Sequence, residues 1–218
     1  FTSIADRYDL ANTLLSFGIH YLWKAKLASR ISKYSRGFLL DVCTGTGDLL
    51  PLFVKRGFSV LGVDFTYAML RAGVRSNRHF SPVVQGDALK LPVQTESMDA
   101  ITVAFGVRNL ERLGDGLKDF HRVLKQGGTL GILEFGQPDG VIFGPLYRFY
   151  SRYILPLIGR CITGNADAYR YLPETAESFP CGDKFSQILN SNGFKVKELI
   201  RLTGGIAFIY IAQKDSSR

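Results

Sequence analysis

Residues 39–50 read LLDVCTGTGDLL: a hydrophobic run, an acid, a Gly-Thr-Gly and a second hydrophobic run. That order spells a strand, a tight turn and the start of a helix. A chain that makes this switch and then repeats it is restricted to a layered α/β architecture.

The repetition runs from Phe38 to Phe135. FLLDVC, SVLGVDF, PVVQGD, MDAITVAFG and TLGILEF are expected strands. GDLLPLFVKRG and TYAMLRAGVRSN read as helices, with apolar residues about one turn apart and a Gly or Asn near each end. GDGLKDFHRVLKQGG is a further expected helix, reaching its Gly-Gly stop with Leu117, Phe120, Val123 and Leu124 on one face. Strands alternating with helices argue for a parallel sheet covered on both faces.

Past residue 140 the pattern changes. GPLYRFYSRYILPLIGR sets Leu146, Phe149, Tyr150, Tyr153, Ile154 and Leu157 at helical spacing, an aromatic amphipathic helix kinked or stopped near Pro156. KFSQILNSNGF reads as another helix. KVKELIRLTGGIAFIYIAQK reads as two strands joined at Gly204-Gly205, hence antiparallel. DRYDLANTLLSFGIHYLWKAKLASRI, near the start, is mostly helical and aromatic. With 218 residues and neither repeat nor linker, one domain is expected. Its parts are an N-terminal helical lid (1–36), a cofactor-binding core (37–140), a substrate or lid insertion (141–182) and a C-terminal helix with a strand pair (183–218).

Three ligands suit a glycine turn of this kind. A phosphate-binding loop needs a lysine after its last glycine, and here Asp48 follows Gly47. A dinucleotide fold prefers a third glycine where Leu50 stands, and an acid beside the helix start opposes a pyrophosphate. S-adenosylmethionine carries no phosphate but a sulfonium cation and an amino-acid end. It asks for close backbone approach, which Gly45 and Gly47 permit, and for nearby carboxylates, which Asp41 and Asp48 supply. Asp64, ending the second strand, is placed to accept both ribose hydroxyls. Asp87, after the third strand, meets the adenine edge, with Phe65 and Met69 on its faces. The structural alternative for each acid is a cap on the following helix. Four acids at successive strand ends fit a ligand better, because open α/β sheets bind ligands outside those ends.

The formal charge of +8 is unevenly spread: residues 37–140 hold 11 basic and 11 acidic side chains, whereas 1–36 and 141–218 each carry an excess of four basic ones. Basic surface serves nucleic acid, anionic lipid or plain solubility. Cys43, Cys161 and Cys181 are odd in number and far apart, without clustered histidines, which fits a reduced compartment and no metal site. The chain starts at Phe1 rather than Met, so an upstream leader is left open. No stretch approaches roughly 18 uninterrupted apolar residues, so a soluble or peripheral protein is expected.

Residues 37–135 resemble a class I methyltransferase, and the whole chain is similar to the ubiquinone/menaquinone biosynthesis C-methyltransferases. The stretches that carry this are YDLANTLLSFGIHYLWK, DVCTGTGDL, AFGVRNL, RVLKQGGTLGILEF and ADAYRYLPE. The resemblance implies a Rossmann-like, mostly parallel seven-stranded sheet with an antiparallel C-terminal pair and helices on both faces. It implies S-adenosylmethionine as cofactor, with Thr46, Asp64, Asp87 and Ala88 at positions that contact it. Two departures stand out: Cys43 replaces the general motif's first glycine, and Ala104 replaces a serine common in relatives.

The implied reaction moves a methyl group to a ring carbon of a prenylated hydroquinone, a carbon that is a poor nucleophile until a phenol ionises. Arg108, in AFGVRN, is a permanent cation suited to favour the phenolate, the alternative being a surface salt bridge to Glu111 or Asp115. Asn109 orients the ring or caps the next helix. Water, His20 or a carboxylate takes the proton, while His79 and His121 read as structural. Tyr169 and Tyr171 close over the substrate or pack. The two basic segments are also the aromatic ones, suggesting a lid whose Trp23, Phe149, Tyr150 and Tyr153 shield the tail while Arg148, Arg152 and Arg160 meet anionic lipid. The expectation is a cytoplasmic enzyme, peripheral on the inner membrane face, with a homodimer compatible. Demethylmenaquinone is favoured, although benzoquinol and naphthoquinol are not separable here. The alternatives are a methyltransferase for another hydrophobic acceptor, such as a phenol or sterol, and a basic nucleic-acid binder. The dispersed charge and lack of an RNA module speak against the last.

Overall fold

A computed structural model describes residues 13, 16, 18–75, 81–138, 143–154 and 175–215, except the side chains at 143, 146, 148 and 154. Helix α1 (Ile19–Tyr34) leads into strand β1 (Phe38–Val42), α2 (Leu50–Val54), β2 (Ser59–Asp64), α3 (Tyr67–Arg75), β3 (Val83–Gln85) and β4 (Met98–Ala104). A 3-10 turn (Val107–Asn109) precedes α4 (Leu113–Val123) and β5 (Leu124–Phe135). Then come α5 (Phe143–Phe149), a π-helical turn (Tyr150–Ile154), α6 (Asp183–Ser191), β6 (Phe194–Leu202) and β7 (Ala207–Lys214).

The seven strands form one sheet in the order β3-β2-β1-β4-β5-β7-β6. Strands β1 to β5 pair in parallel, and β7 runs antiparallel to both β5 and β6. The inner strands are buried on both faces, which is why they read as unbroken apolar runs. Alternate residues feed different cores. Leu40, Ile101, Ile132 and Tyr210 pack under α4 and α6 with Phe120 and Phe185. Leu39, Ala100, Leu133 and Ile209 pack under α1 and α2 with Leu27 and Phe53.

Two expected boundaries shift. Helix α4 stops at Val123, because Leu124 is extended (φ −69°, ψ 136°) and pairs with Met98. Its buried side chain fits the helical stripe and the strand equally well, so periodicity alone runs through it. Helix α2 is confined to Leu50–Val54, since residues 45–49 are spent on the glycine turn. The turn between β6 and β7 is made by Gly204 and Gly205 at φ +65° and +98°.

Strand order reverses between β1 and β4, the place where an open α/β sheet leaves a crevice at its carboxyl ends. Helix α1 roofs that crevice. Its Leu27, Ala28 and Ile31 are fully buried, and they approach β5 where Gly131 has no side chain; a Cβ there would overlap Ile31.

Candidate active site

A cavity of about 1520 Å³ opens at this crevice. Its floor is the turn after β1, its roof α1, and its far wall the segment after β4 together with α5 and the β6–β7 turn. Lining it are Gly45, Thr46, Asp64, Phe65, Met69, Asp87, Ala88 and Ala104 from one side and Arg108, Asn109 and Phe149 from the other.

The glycine turn is shaped by three left-handed residues, Cys43 (φ +56°), Gly45 (φ +58°) and Gly47 (φ +75°). Cys43 thus takes the conformation for which the general motif keeps a glycine. A Cβ on Gly45 would meet only Met69 Cε, at 3.5 Å, so the backbone there is open to a ligand. Gly47 is not part of the cavity lining; its left-handed φ lets the chain enter α2. Behind the turn, Gly73 of α3 touches the Thr46 backbone so closely that any side chain would overlap its carbonyl. This close helix packing was not read from the sequence.

The carboxylates divide by environment. Asp64 anchors the turn: Gly45 N and Thr66 N each donate to it at 2.8 Å, and burial raises its carboxyl against the pull of those bonds. Asp87 is exposed after β3, with Leu89 N donating to its Oδ1 at 2.8 Å. Asp41 lines the cavity and is also held from within the fold. It is buried, and the hydroxyls of Thr44 and Thr102 donate to its two oxygens at 2.7 and 2.6 Å. Burial pushes its carboxyl up to about 6 despite both bonds. Asp48 is likewise engaged, with Lys24 Nζ of α1 2.5 Å from its Oδ2.

Arg108 belongs to the 3-10 turn after β4. Its side chain is 2 % exposed and pairs with Glu134, 1 % exposed, at 2.7 Å. The alternative of a surface bridge to Asp115 does not form, since Asp115 pairs with Arg112 and Lys118. The same Nη1 donates to the Phe105 carbonyl at 2.7 Å, and the guanidinium lies 5.2 Å over the Phe135 ring. Its Nε is buried with no protein partner. Phe105 has φ +60°, strained for a bulky residue. That backbone carries its carbonyl to Arg108 and its ring between Trp23 and Phe135, with centroids 6.3 and 4.4 Å away. The cap residue of α4 is Arg112, so Asn109, exposed on the cavity, does not cap it.

Other expectations divide. Phe149 lines the cavity, whereas Tyr153 lies tilted beside it outside the lining, with ring centroids 5.2 Å apart. Tyr150, expected on the same face, lines the cavity together with Tyr147, and burial pushes the Tyr147 phenol up to about 12. Tyr147 lies off the predicted apolar stripe, which is why it was missed. His20 lines the cavity 2.7 Å from Ser16 Oγ. Burial, with Lys24 nearby, pushes its imidazole down to about 4, leaving a weak base. Tyr169, Tyr171, His79, Cys161 and Arg160 lie outside the described residues.

The sequence matches the ubiE/COQ5 methyltransferase family over residues 1–214. It is 41% identical to the ubiquinone/menaquinone biosynthesis C-methyltransferase UbiE of Syntrophotalea carbinolica, covering 96% of this chain and 90% of that one. It is 39% identical to the demethylmenaquinone methyltransferase of Thermus thermophilus, covering 98% and 99%. The fold is that of a SAM-dependent methyltransferase from Thermotoga maritima, with TM-score 0.67 and 17% identity over 97% of this chain and 98% of that one. One from Aquifex aeolicus gives 0.63 at 19% identity over 87% and 89%.

Proposed function

The chain belongs to the ubiE/COQ5 methyltransferase family, and on that premise we propose that its cavity brings S-adenosylmethionine against a prenylated hydroquinone with Arg108 at the acceptor ring. The protein is an S-adenosylmethionine-dependent C-methyltransferase of quinone biosynthesis. The conversion of demethylmenaquinol to menaquinol is favoured by the names of the Deinococcus radiodurans and T. thermophilus relatives.

The residues at the glycine turn fit this cofactor. Asp64 has both oxygens fixed by backbone N–H groups, and each oxygen keeps a further lone pair for a ribose hydroxyl. Gly45 leaves its face open, Phe65 is exposed beside it, and Met69 lies beneath. Asp87 and Ala88 take the adenine, with Thr46 and Ala104 lining the path toward β4. Gly47 and Asp41 hold the turn from behind. When bound, S-adenosylmethionine supplies an electrophilic methyl group on a sulfonium. At about 1520 Å³ the cavity also exceeds the roughly 300–1,000 Å³ typical of a single small ligand, which supports two ligands side by side.

The observation that carries the reading is the locked guanidinium. Arg108 cannot swing away, because Glu134 and the Phe105 carbonyl hold it, yet its Nε donor has no protein partner. The Nε is itself closed to solvent, so what Arg108 brings to the cavity it lines is a fixed positive charge, and a fixed cation suits a ligand oxygen that gains negative charge. Hydrogen bonding and positive charge at a phenol oxygen favour the phenolate, which activates the neighbouring ring carbon. Phe105, Phe135 and Trp23 give the ring an apolar wall, and Tyr147, Tyr150 and Phe149 continue it toward the mouth for the tail. As the methyl group passes from sulfur to the ring carbon, that carbon gives up its own hydrogen as a proton to restore the aromatic ring, and water in the open cavity takes the proton released. Incubation with methyl-labelled S-adenosylmethionine and reduced demethylmenaquinone should label the naphthoquinol ring; an unlabelled ring overturns the assignment.

Membrane contact at the mouth is part of the proposal. No helix among the described residues is long and apolar enough to cross a membrane. Leu22 and Phe149, at the cavity, and Tyr153, beside it, are 70%, 55% and 62% exposed, and Arg152 is exposed on the same segment. Apolar and basic residues together suit an anionic lipid interface, from which a long-tailed substrate is drawn.

A further inference from the structure

We propose that Lys24, on the helix that roofs the glycine turn, receives the carboxylate of the amino-acid end of S-adenosylmethionine while Asp48 receives its ammonium group. The inference rests on the cofactor assignment above.

The order of the strands sets the direction of the ligand. Asp64 closes β2 and Asp87 follows β3, the next strand outward. A ribose on Asp64 with its adenine toward Asp87 therefore sends the amino-acid end the other way, over β1 and toward β4. That is the ground covered by α1. The side chains meeting there are Lys24 and Asp48, both lining the cavity, 13% and 16% exposed, and 2.5 Å apart.

The charge inventory points the same way. The amino-acid end presents one anion and one cation on neighbouring atoms, so its site needs one charge of each sign. The acids that line the cavity are otherwise committed or distant: Asp41 accepts two threonine hydroxyls, Asp64 and Asp87 lie on the ribose and adenine side, and Glu111 follows Arg108 on the acceptor side. The other permanent cation of the lining, Arg108, is held by Glu134. Lys24 and Asp48 remain as a complementary couple at the glycine end. Opening their mutual pair and inserting an α-amino acid gives each of the two charges a ligand group of opposite sign, with no net charge added to the cavity.

Lys24 is carried on a rigid support. Trp23 Nε1 donates to Thr203 Oγ1 at 3.2 Å, and Leu27, Ala28 and Ile31 are fully buried below it. The ammonium therefore stands at a fixed height above the turn, as a specific contact requires.

A purely structural role, fastening α1 to the turn, predicts a different outcome, and calorimetric titration separates the two. S-adenosylhomocysteine keeps the amino-acid end, whereas 5′-methylthioadenosine lacks it. Lys24→Met should weaken S-adenosylhomocysteine by at least about tenfold, the scale of one hydrogen bond to a charged group, and change 5′-methylthioadenosine by less than about twofold. Lys24→Arg should restore most of the loss. Equal weakening of both ligands, or of neither, overturns the inference while leaving the cofactor assignment intact. A wild-type protein that binds neither ligand overturns both. Should Lys24→Met fail to fold, Lys24→Gln supplies the same comparison.

Discussion

Arg108 Nη1 and Glu134 Oε1 lie 2.7 Å apart, and solvent reaches almost none of either side chain. The pair joins the segment after β4 to the end of β5, and it fixes the cation that the proposed chemistry uses.

Breaking such a pair from one side leaves a buried charge without its partner, at a cost of about 3–5 kcal/mol. Glu134→Ala should lose stability of that order in urea unfolding. The neutral double replacement Arg108→Met with Glu134→Ala should lose less than the Arg108→Met and Glu134→Ala losses added together. Strict additivity would show that the pair is not coupled. The double variant should also keep its affinity for S-adenosylhomocysteine, since neither residue is assigned to the cofactor.

Asp41 should make stability depend on pH. Burial raises its carboxyl to about 6, so the folded state holds that proton more tightly than the unfolded chain. Its contribution is then greatest below the ordinary carboxylate range and falls as pH rises through about 6. Asp41→Asn removes the titration. The difference in unfolding free energy between variant and wild type should change in the variant's favour by about 2 kcal/mol between pH 4 and 7. Parallel pH curves would contradict this.

Two glycines should respond oppositely to alanine. At Gly73 a methyl group overlaps the Thr46 carbonyl, so Gly73→Ala should destabilise by about 1–3 kcal/mol and weaken cofactor binding through the displaced turn. At Gly114, within α4, the nearest atom to a new Cβ is Asn192 Oδ1 at 4.0 Å. Gly114→Ala should stabilise by up to about 1 kcal/mol. Thermal unfolding of both variants checks the pair of signs.

What could be read from the sequence follows from how local each signal is. The sheet was legible because every strand is a contiguous apolar run, and Asp64 and Asp87 because they end such runs. Glu134 also ends one, in LGILEF, but its meaning depends on Arg108, 26 positions away across a strand pair. The Lys24–Asp48 contact likewise spans 24 positions and exists only because α1 docks across β5 and against α2. Asp41 stands near a strand end too, but a strand-end acid looks the same in the sequence whether or not threonine hydroxyls hold it. Thr102, its neighbour on β4, is what decides.

The lipid-facing proposal predicts binding to vesicles containing anionic lipid that weakens as salt rises. Each basic residue at the surface contributes about 1 kcal/mol, so Arg148→Glu with Arg152→Glu should reduce sedimentation with vesicles at least tenfold. Unchanged sedimentation, or no binding at low salt, would contradict it.

The central claim separates a cofactor contact at Asp64 from an acceptor contact at Arg108. The direct measurement is transfer of a labelled methyl group to reduced demethylmenaquinone and to the matching methoxy-benzoquinol, with calorimetric affinities for S-adenosylhomocysteine, on wild type, Asp64→Ala and Arg108→Ala. Wild type should methylate a quinol, Asp64→Ala should lose affinity and turnover together, and Arg108→Ala should keep its affinity while turnover falls on the order of 10²–10³-fold. Full turnover in Arg108→Ala, or cofactor binding by wild type without methylation of either quinol, would contradict the account.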